Sequence, residues 1–327
     1  MSSVERISVA GDGTQADGDS ADASLTPDGR HVVFASAANN LTSDRPELGD
    51  EVFVRDQLAA QTRRIGYYDP LQPPALSGDG AYLAYPVQWM RDVKIYTWQV
   101  RTGAIAGLDC WPNCFQPSLN ADGRYAAYSV TARPPAVHQR VEVQNMWTGA
   151  KEVIAEFDHT SPSRPSLSGD ARYVAYQDGK AGDVFVRDRT GGTTSGPVEG
   201  PSRAATLVQL SDDGSKVVYR SGSDTYVHDV AAGTDQVVPN VRGIAIDPTG
   251  RYLLYAPNSS DGTSGPSPLT LRDLLTGTDE VLSERPASAG VDAVSANGRD
   301  VVFTSAADDV VPGDTNGKAD VFVRRFE

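Results

Sequence analysis

The chain has 327 residues and a formal net charge of −14, from 43 acidic and 29 basic residues. A phosphate backbone or an anionic membrane surface requires a basic face, so nucleic-acid and membrane-surface partners are disfavoured, while cationic ligands, metal ions and basic peptides stay compatible. No apolar run approaches the roughly 18 residues of a membrane span, so insertion is not expected. Met1-Ser2-Ser3-Val4-Glu5-Arg6 lacks a leader's basic head and apolar middle, which gives a cytoplasmic expectation, or an exported one if a leader has been removed.

From the amino end, Val4–Val9 reads as a strand with no hairpin of its own. Gly11–Ser20 follows, glycine-rich and acidic, either a solvated connector or a cation site. Ser24-Leu25-Thr26-Pro27-Asp28-Gly29-Arg30-His31-Val32-Val33-Phe34 then reads as strand, tight turn and strand. The turn recurs at Asp79-Gly80, Asp122-Gly123, Asp170-Ala171, Asp213-Gly214, Thr249-Gly250 and Asn297-Gly298, at intervals of 36 to 51 residues. Such dipeptides suit two-residue turns in which both central residues take positive φ. Each hairpin leads to an alternating strand, as in Val52-Phe53-Val54-Arg55-Asp56, Val184-Phe185-Val186-Arg187-Asp188 and Leu269-Thr270-Leu271-Arg272-Asp273. A turn such as Thr148-Gly149 and a fourth short strand complete the unit. The recurring Arg-Asp ends read as turn formers, the Asp accepting N–H groups of the following bend.

Four strands every 40 to 50 residues is roughly the period of a propeller blade. The expected fold is all-β: a seven-bladed β-propeller of four-stranded antiparallel blades, one domain over residues 1–327, with Val4–Val9 completing the last blade beside Val321–Arg324. The hairpin and the Asp-Val-Phe-Val-Arg-Asp strand resemble the WD-repeat-like blades of TolB-like bacterial β-propellers. The resemblance covers essentially the whole chain and implies the fold. It leaves function open, because propellers serve as scaffolds, lectins, lyases and peptidase domains alike, and it implies frequent export.

In that fold the loops leading into each first strand share a face with the loops joining second and third strands, and ligands usually meet that face. The loop Asn39–Asp50 carries Asp44, Glu47 and Asp50. Tyr68, Trp89 and Trp111 could cluster there as stacking surfaces for sugar or peptide, or else pack between blades. Cys110 and Cys114 close a very small loop and are open to three readings: a disulfide, free thiols, or a metal-bound or reactive pair. Asp158-His159 is a weak candidate for an oriented general base. Arg164, Arg203 and Arg242 occur just before three successive first strands and could clamp a carboxylate or phosphate, unless they pair with acids such as Asp170, Asp212 or Asp247. The tip Asn258–Pro266 is rich in Gly, Ser and Pro and should be mobile. Gly313-Asp314-Thr315-Asn316-Gly317-Lys318-Ala319-Asp320 offers Asp314, Asn316 and Asp320 as calcium ligands, or an Asx-turn leading into a strand. No cofactor is expected to be required, calcium being the one candidate.

No nucleophile elbow, Walker loop, dinucleotide fingerprint or zinc-protease motif occurs. The first reading is a monomeric recognition module holding a peptide, protein or small molecule at Trp89, Trp111, Arg164, Arg203 and Arg242. The alternative is a propeller enzyme, a lyase, hydrolase or tailoring catalyst, with its site in the central funnel. A third reading is a purely structural partner.

Overall fold

The computed structural model describes residues 3–43, 49–66, 68–161, 163–258 and 265–326. Asp44, Glu47 and most of the Asn258–Pro266 tip lie outside them. The packing divides the chain into two compact units, Met1–Pro74 with Ile244–Glu327, and Ala75–Gly243.

The first unit contains a four-stranded antiparallel sheet of Ser20–Leu25, His31–Ser36, Glu51–Asp56 and Gln61–Gly66, in chain order. A second runs from Val241–Ile246 through Tyr252–Pro257 and Ser267–Asp273 to Asp279–Ala287. In a third, Asp300–Ser305 pairs with Asp320–Arg325, which pairs with Ser3–Arg6. Val4 stands opposite Arg324, and the Ile7 N–H donates to the Val321 carbonyl at 2.8 Å. The amino-terminal segment thus completes the last sheet, as its lack of a hairpin implies. The core of this unit joins Ile7, Phe34, Phe53, Leu254, Phe303 and Phe322.

The second unit contains sheets of Ser166–Leu167 through Thr193–Val198 and of Thr206–Leu210 through Thr234–Val238. It also contains a difference from the expected separate blades. The repeats at Ala75–Gly107 and Asn113–Phe157 form one eight-stranded sheet, joined by a parallel pairing of Asn113 with Val93. The Asn113 side chain accepts the Val93 N–H at 3.0 Å, which ties the start of one repeat to the edge of the one before.

Sheets of both units share one internal device. A bulky aromatic on the second strand stands opposite one on the third: Phe34 and Phe53, Tyr176 and Phe185, Tyr219 and Tyr226, Phe303 and Phe322. Their rings stack at centroid separations of 5.0 to 5.8 Å.

The hairpin turns differ from the two-residue form. Gly29 has φ +71, but Asp28 keeps negative φ; only Asn297-Gly298 has both residues positive. The Gly29 N–H closes onto the Thr26 carbonyl at 2.8 Å. Asp28 instead accepts the Thr26 hydroxyl at 2.5 Å and the Arg30 N–H at 2.9 Å, and the same hydroxyl accepts the His31 N–H at 3.0 Å. Ser77 with Asp79, Ser168 with Asp170 and Ser211 with Asp213 repeat this network. The recurring Asp is therefore selected as an acceptor rather than for left-handed backbone.

The Arg-Asp strand ends are structural, as expected. Asp56 accepts the Leu58 and Ala59 N–H groups and pairs with Arg30 at 2.7 Å. Asp188 with Arg172 and Asp273 with Arg251 repeat the arrangement.

Candidate functional site

Among the described residues, one departure from ordinary charge pairing is a group of three arginines, Arg164, Arg220 and Arg242, in the Ala75–Gly243 unit. Arg220 lies near the end of the strand Lys216–Ser221, opposite Thr206 on one side and Thr225 on the other. Thr225 donates its hydroxyl to the Val241 carbonyl at 2.8 Å and accepts the Gly243 N–H at 2.7 Å, gripping the backbone on both sides of Arg242. Gln177 does the same on the other flank. Its amide donates to the Ala205 carbonyl at 3.2 Å and accepts the Leu207 N–H at 3.0 Å, which fixes Thr206. The Gln177 N–H also donates to the Ser163 carbonyl at 2.7 Å, beside Arg164. Gln177, through its main chain and its side chain, and Thr225, through its hydroxyl, thereby fix the backbone next to Arg164, opposite Arg220 and around Arg242.

The electrostatics agree with that geometry. Burial, then the like charges of Arg242 and Arg164, push the Arg220 guanidinium below its ordinary value. Arg220 Nε is buried without a hydrogen-bond partner. Among the described residues none of the three makes an ion pair, although the chain carries fourteen more negative than positive charges. Two of the acids named as their possible partners are engaged elsewhere. Asp170 serves its own turn, and Asp247 accepts the Arg251, Tyr252 and Asn297 N–H groups. Guanidinium groups left without a counter-charge can accept an anion, and their planar shape fits a carboxylate or phosphate.

Arg164 and Arg242 are among the candidates the sequence offers, and Arg220 is not, because it sits on a second strand, away from the loops that lead into first strands. Arg203 is exposed on a turn closed by its own N–H to the Gly200 carbonyl at 3.2 Å; the like charges that act on Arg220 are those of Arg242 and Arg164.

The other candidates fall as follows. Trp111 is 59% exposed with the Arg133 guanidinium 5.3 Å from its ring centroid. Trp89, 45% exposed, lies edge-on to Tyr96 and is paired in register with Asp92, whose carboxylate holds Arg133 at 2.8 Å. The two tryptophans therefore meet through Asp92 and Arg133. Tyr68 belongs to the other unit and is 41% exposed. Cys110 and Cys114 are joined in a disulfide.

His159 does not pair with Asp158, which is exposed. Its Nε2 lies 2.8 Å from Asp178, and its Nδ1 accepts the Ser161 N–H at 3.2 Å, so both ring nitrogens are engaged. Burial opposes ionisation of Asp178, but the Ala181 and Lys180 N–H groups and His159 hold it below its ordinary value. The arrangement is a structural His–Asp hydrogen bond rather than a free base.

Asp314, Asn316 and Asp320 do converge, and the cation among them is Arg6, which lies 2.8 Å from Asp314 and 3.4 Å from Asp320. Asn316 donates to Asp320 at 2.9 Å, and its carbonyl accepts the Lys318 N–H at 3.0 Å. The motif is an Asx-turn around a guanidinium.

No family model matches the chain, and no curated protein does. Solved structures do. An oligogalacturonate lyase in complex with manganese aligns with TM-score 0.69 and 14% identity, over 99% of this chain and 93% of the other. An oligogalacturonate lyase from Vibrio parahaemolyticus aligns at 0.67 and 13%, over 100% and 97%. TolB from Acinetobacter baumannii aligns at 0.53 and 15%, over 82% and 64%. The shared feature is the all-β, TolB-like propeller-type fold.

The manganese complex corrects the expectation that no cofactor is required, with calcium the one candidate: a protein of this fold binds a different metal. The residues described here do not fit such an ion. No three His, Cys, Asp or Glu side chains among them are grouped to hold one, and the four histidines are spread over four separate carboxylates, Asp56, Glu156, Asp178 and Asp235.

Proposed function

We propose that this chain is a propeller enzyme acting on an acidic, carboxylate-bearing carbohydrate, with lyase chemistry, and that Arg164, Arg220 and Arg242 hold the substrate carboxylate. The observation that carries the reading is the unneutralised arginine group. The oligogalacturonate lyases of the same fold support the substrate class, because a galacturonate oligomer presents one carboxylate per ring. In β-elimination a base removes the proton on the carbon next to the carboxylate. The carbon–oxygen bond to the leaving sugar then breaks, a double bond forms, and the departing oxygen takes up a proton to replace the one removed, so no water is consumed. Charge develops on the carboxylate, where paired guanidinium groups stabilise it more in the transition state than in the ground state. A second reading, a recognition module for the same ligand, is favoured by the engagement of both His159 nitrogens. On the same footing, the fold is a single propeller of seven blades, and the Cys110–Cys114 disulfide supports an oxidising compartment.

The test is incubation with oligogalacturonates, with and without added manganese, followed by ultraviolet absorbance of the unsaturated product. Product formed by the wild type and lost in Arg220→Gln supports the lyase. Binding without product supports the recognition module. Neither binding nor product removes the carboxylate reading.

A further inference from the structure

A second feature of the Ala75–Gly243 unit extends that reading and rests on it. A cavity of about 290 Å³ opens beside the disulfide, at the small end of ligand pockets. Trp111, Pro112, Val130 and Ala132 give it an apolar wall, Arg133, His138 and Arg140 a basic rim, and no acidic side chain lines it. The indole is held although it is exposed. The Cys110–Cys114 bridge flanks it, Lys94 Nζ donates to the Cys110 carbonyl at 2.8 Å, and Arg133 is pinned over the ring by Asp92. Arg140 uses its Nε for Glu142, and its terminal nitrogens make no hydrogen bond among the described residues. An aromatic face fixed in solvent beside open guanidinium donors suits a ring with an apolar face and a carboxylate.

The cavity and the arginine group stand at the same end of neighbouring sheets. In the strand Asn113–Leu119, Asn113 faces Thr131 and Cys114 faces Val130 of the cavity wall. Three residues on from Asn113, the Gln116 side chain accepts the Arg164 N–H at 3.0 Å. The strand bulges between Phe115 and Ser118, and Gln116 has φ +56, so the cavity wall and the Arg164 backbone are met at separate, successive points along it, which suits a ligand of more than one ring. We propose that the Trp111 cavity is a second subsite, holding one acidic ring of an oligomer whose other carboxylate sits at Arg164, Arg220 and Arg242. The ligand is then an acidic oligosaccharide rather than a monosaccharide.

The experiment is calorimetric titration of the full chain with galacturonate and with trigalacturonate. Trp111→Ala weakens the trimer about tenfold, equivalent to roughly 1.4 kcal/mol, and leaves the monomer unchanged. Arg140→Gln acts in the same direction, and Trp111→Phe keeps most of the affinity; unchanged melting curves show that each variant folds. Arg220→Gln weakens monomer and trimer alike. Equal losses for monomer and trimer in Trp111→Ala, or no loss in either, overturn the subsite while Arg220-dependent binding leaves the arginine reading standing. No binding of either sugar by the wild type overturns both.

Discussion

The Thr225 hydroxyl and the Gly243 N–H meet at 2.7 Å, and a Cβ built on Gly243 would fall 2.6 Å from the Thr225 methyl. Gly243 therefore has no room for a side chain against Thr225, and the same hydroxyl fixes the backbone on both sides of Arg242. Thr225→Val keeps the shape and removes both hydrogen bonds. It should cost about 2 kcal/mol in denaturant unfolding and weaken carboxylate binding more than Arg203→Gln does. An Arg203→Gln effect of equal size would refute the assignment of Arg203 outside the site.

Gly214 has φ +73, and its missing Cβ would lie 2.5 Å from the Tyr173 ring of the preceding repeat. Gly103 has φ +69 with nothing within 4 Å. Gly103→Ala should cost about 1 kcal/mol, the left-handed backbone alone, and Gly214→Ala about 3 kcal/mol, because the ring must also move. Tyr173→Leu in the Gly214→Ala background should recover the difference. The check is urea unfolding of the four proteins.

Burial raises the Asp292 carboxyl to about 6. The folded state binds this proton more tightly than the unfolded chain, so stability falls as pH rises from about 4 to 6, and the penalty is complete above 6. Asp292→Asn, a residue type that tolerates the φ of +57 found there, should be more stable than wild type at pH 7.5 by at most about 3 kcal/mol. The two should converge near pH 4. Melting temperatures across that range test it; parallel curves would contradict it.

The arginine group should respond to anions before any sugar is added. Sulfate or citrate should raise the melting temperature of the wild type more than that of Arg220→Gln. Without anions, Arg220→Gln should be at least as stable as wild type, since it removes one of three clustered like charges. A destabilised variant with unchanged anion response would assign Arg220 to packing.

The repeat was legible because hairpin, alternation and turn chemistry are local: Asp28, Asp56 and Gly214 act within a few residues or on the adjacent repeat. Closure of the last sheet by Val4 and Arg324 was legible from the one strand that lacked a partner. The turn type was not, since Asp-Gly suits both the two-residue turn and the acceptor network that Thr26 and His31 complete. The calcium motif shows the same limit. Its oxygens converge as the spacing implies, but Arg6 arrives from more than three hundred residues away to fill them. Arg220 was invisible for a related reason, as its neighbours Arg164 and Arg242 become neighbours only through Gln177 and Thr225.

The most direct measurement is calorimetric titration of the chain with trigalacturonate and with its fully methyl-esterified form, which keeps the sugar and removes the charge. The acid should bind with an affinity that falls as salt rises, the ester should bind at least tenfold more weakly, and Arg220→Gln should abolish the difference. Equal binding of acid and ester, or an acid preference that survives Arg220→Gln, would contradict carboxylate recognition by the three arginines.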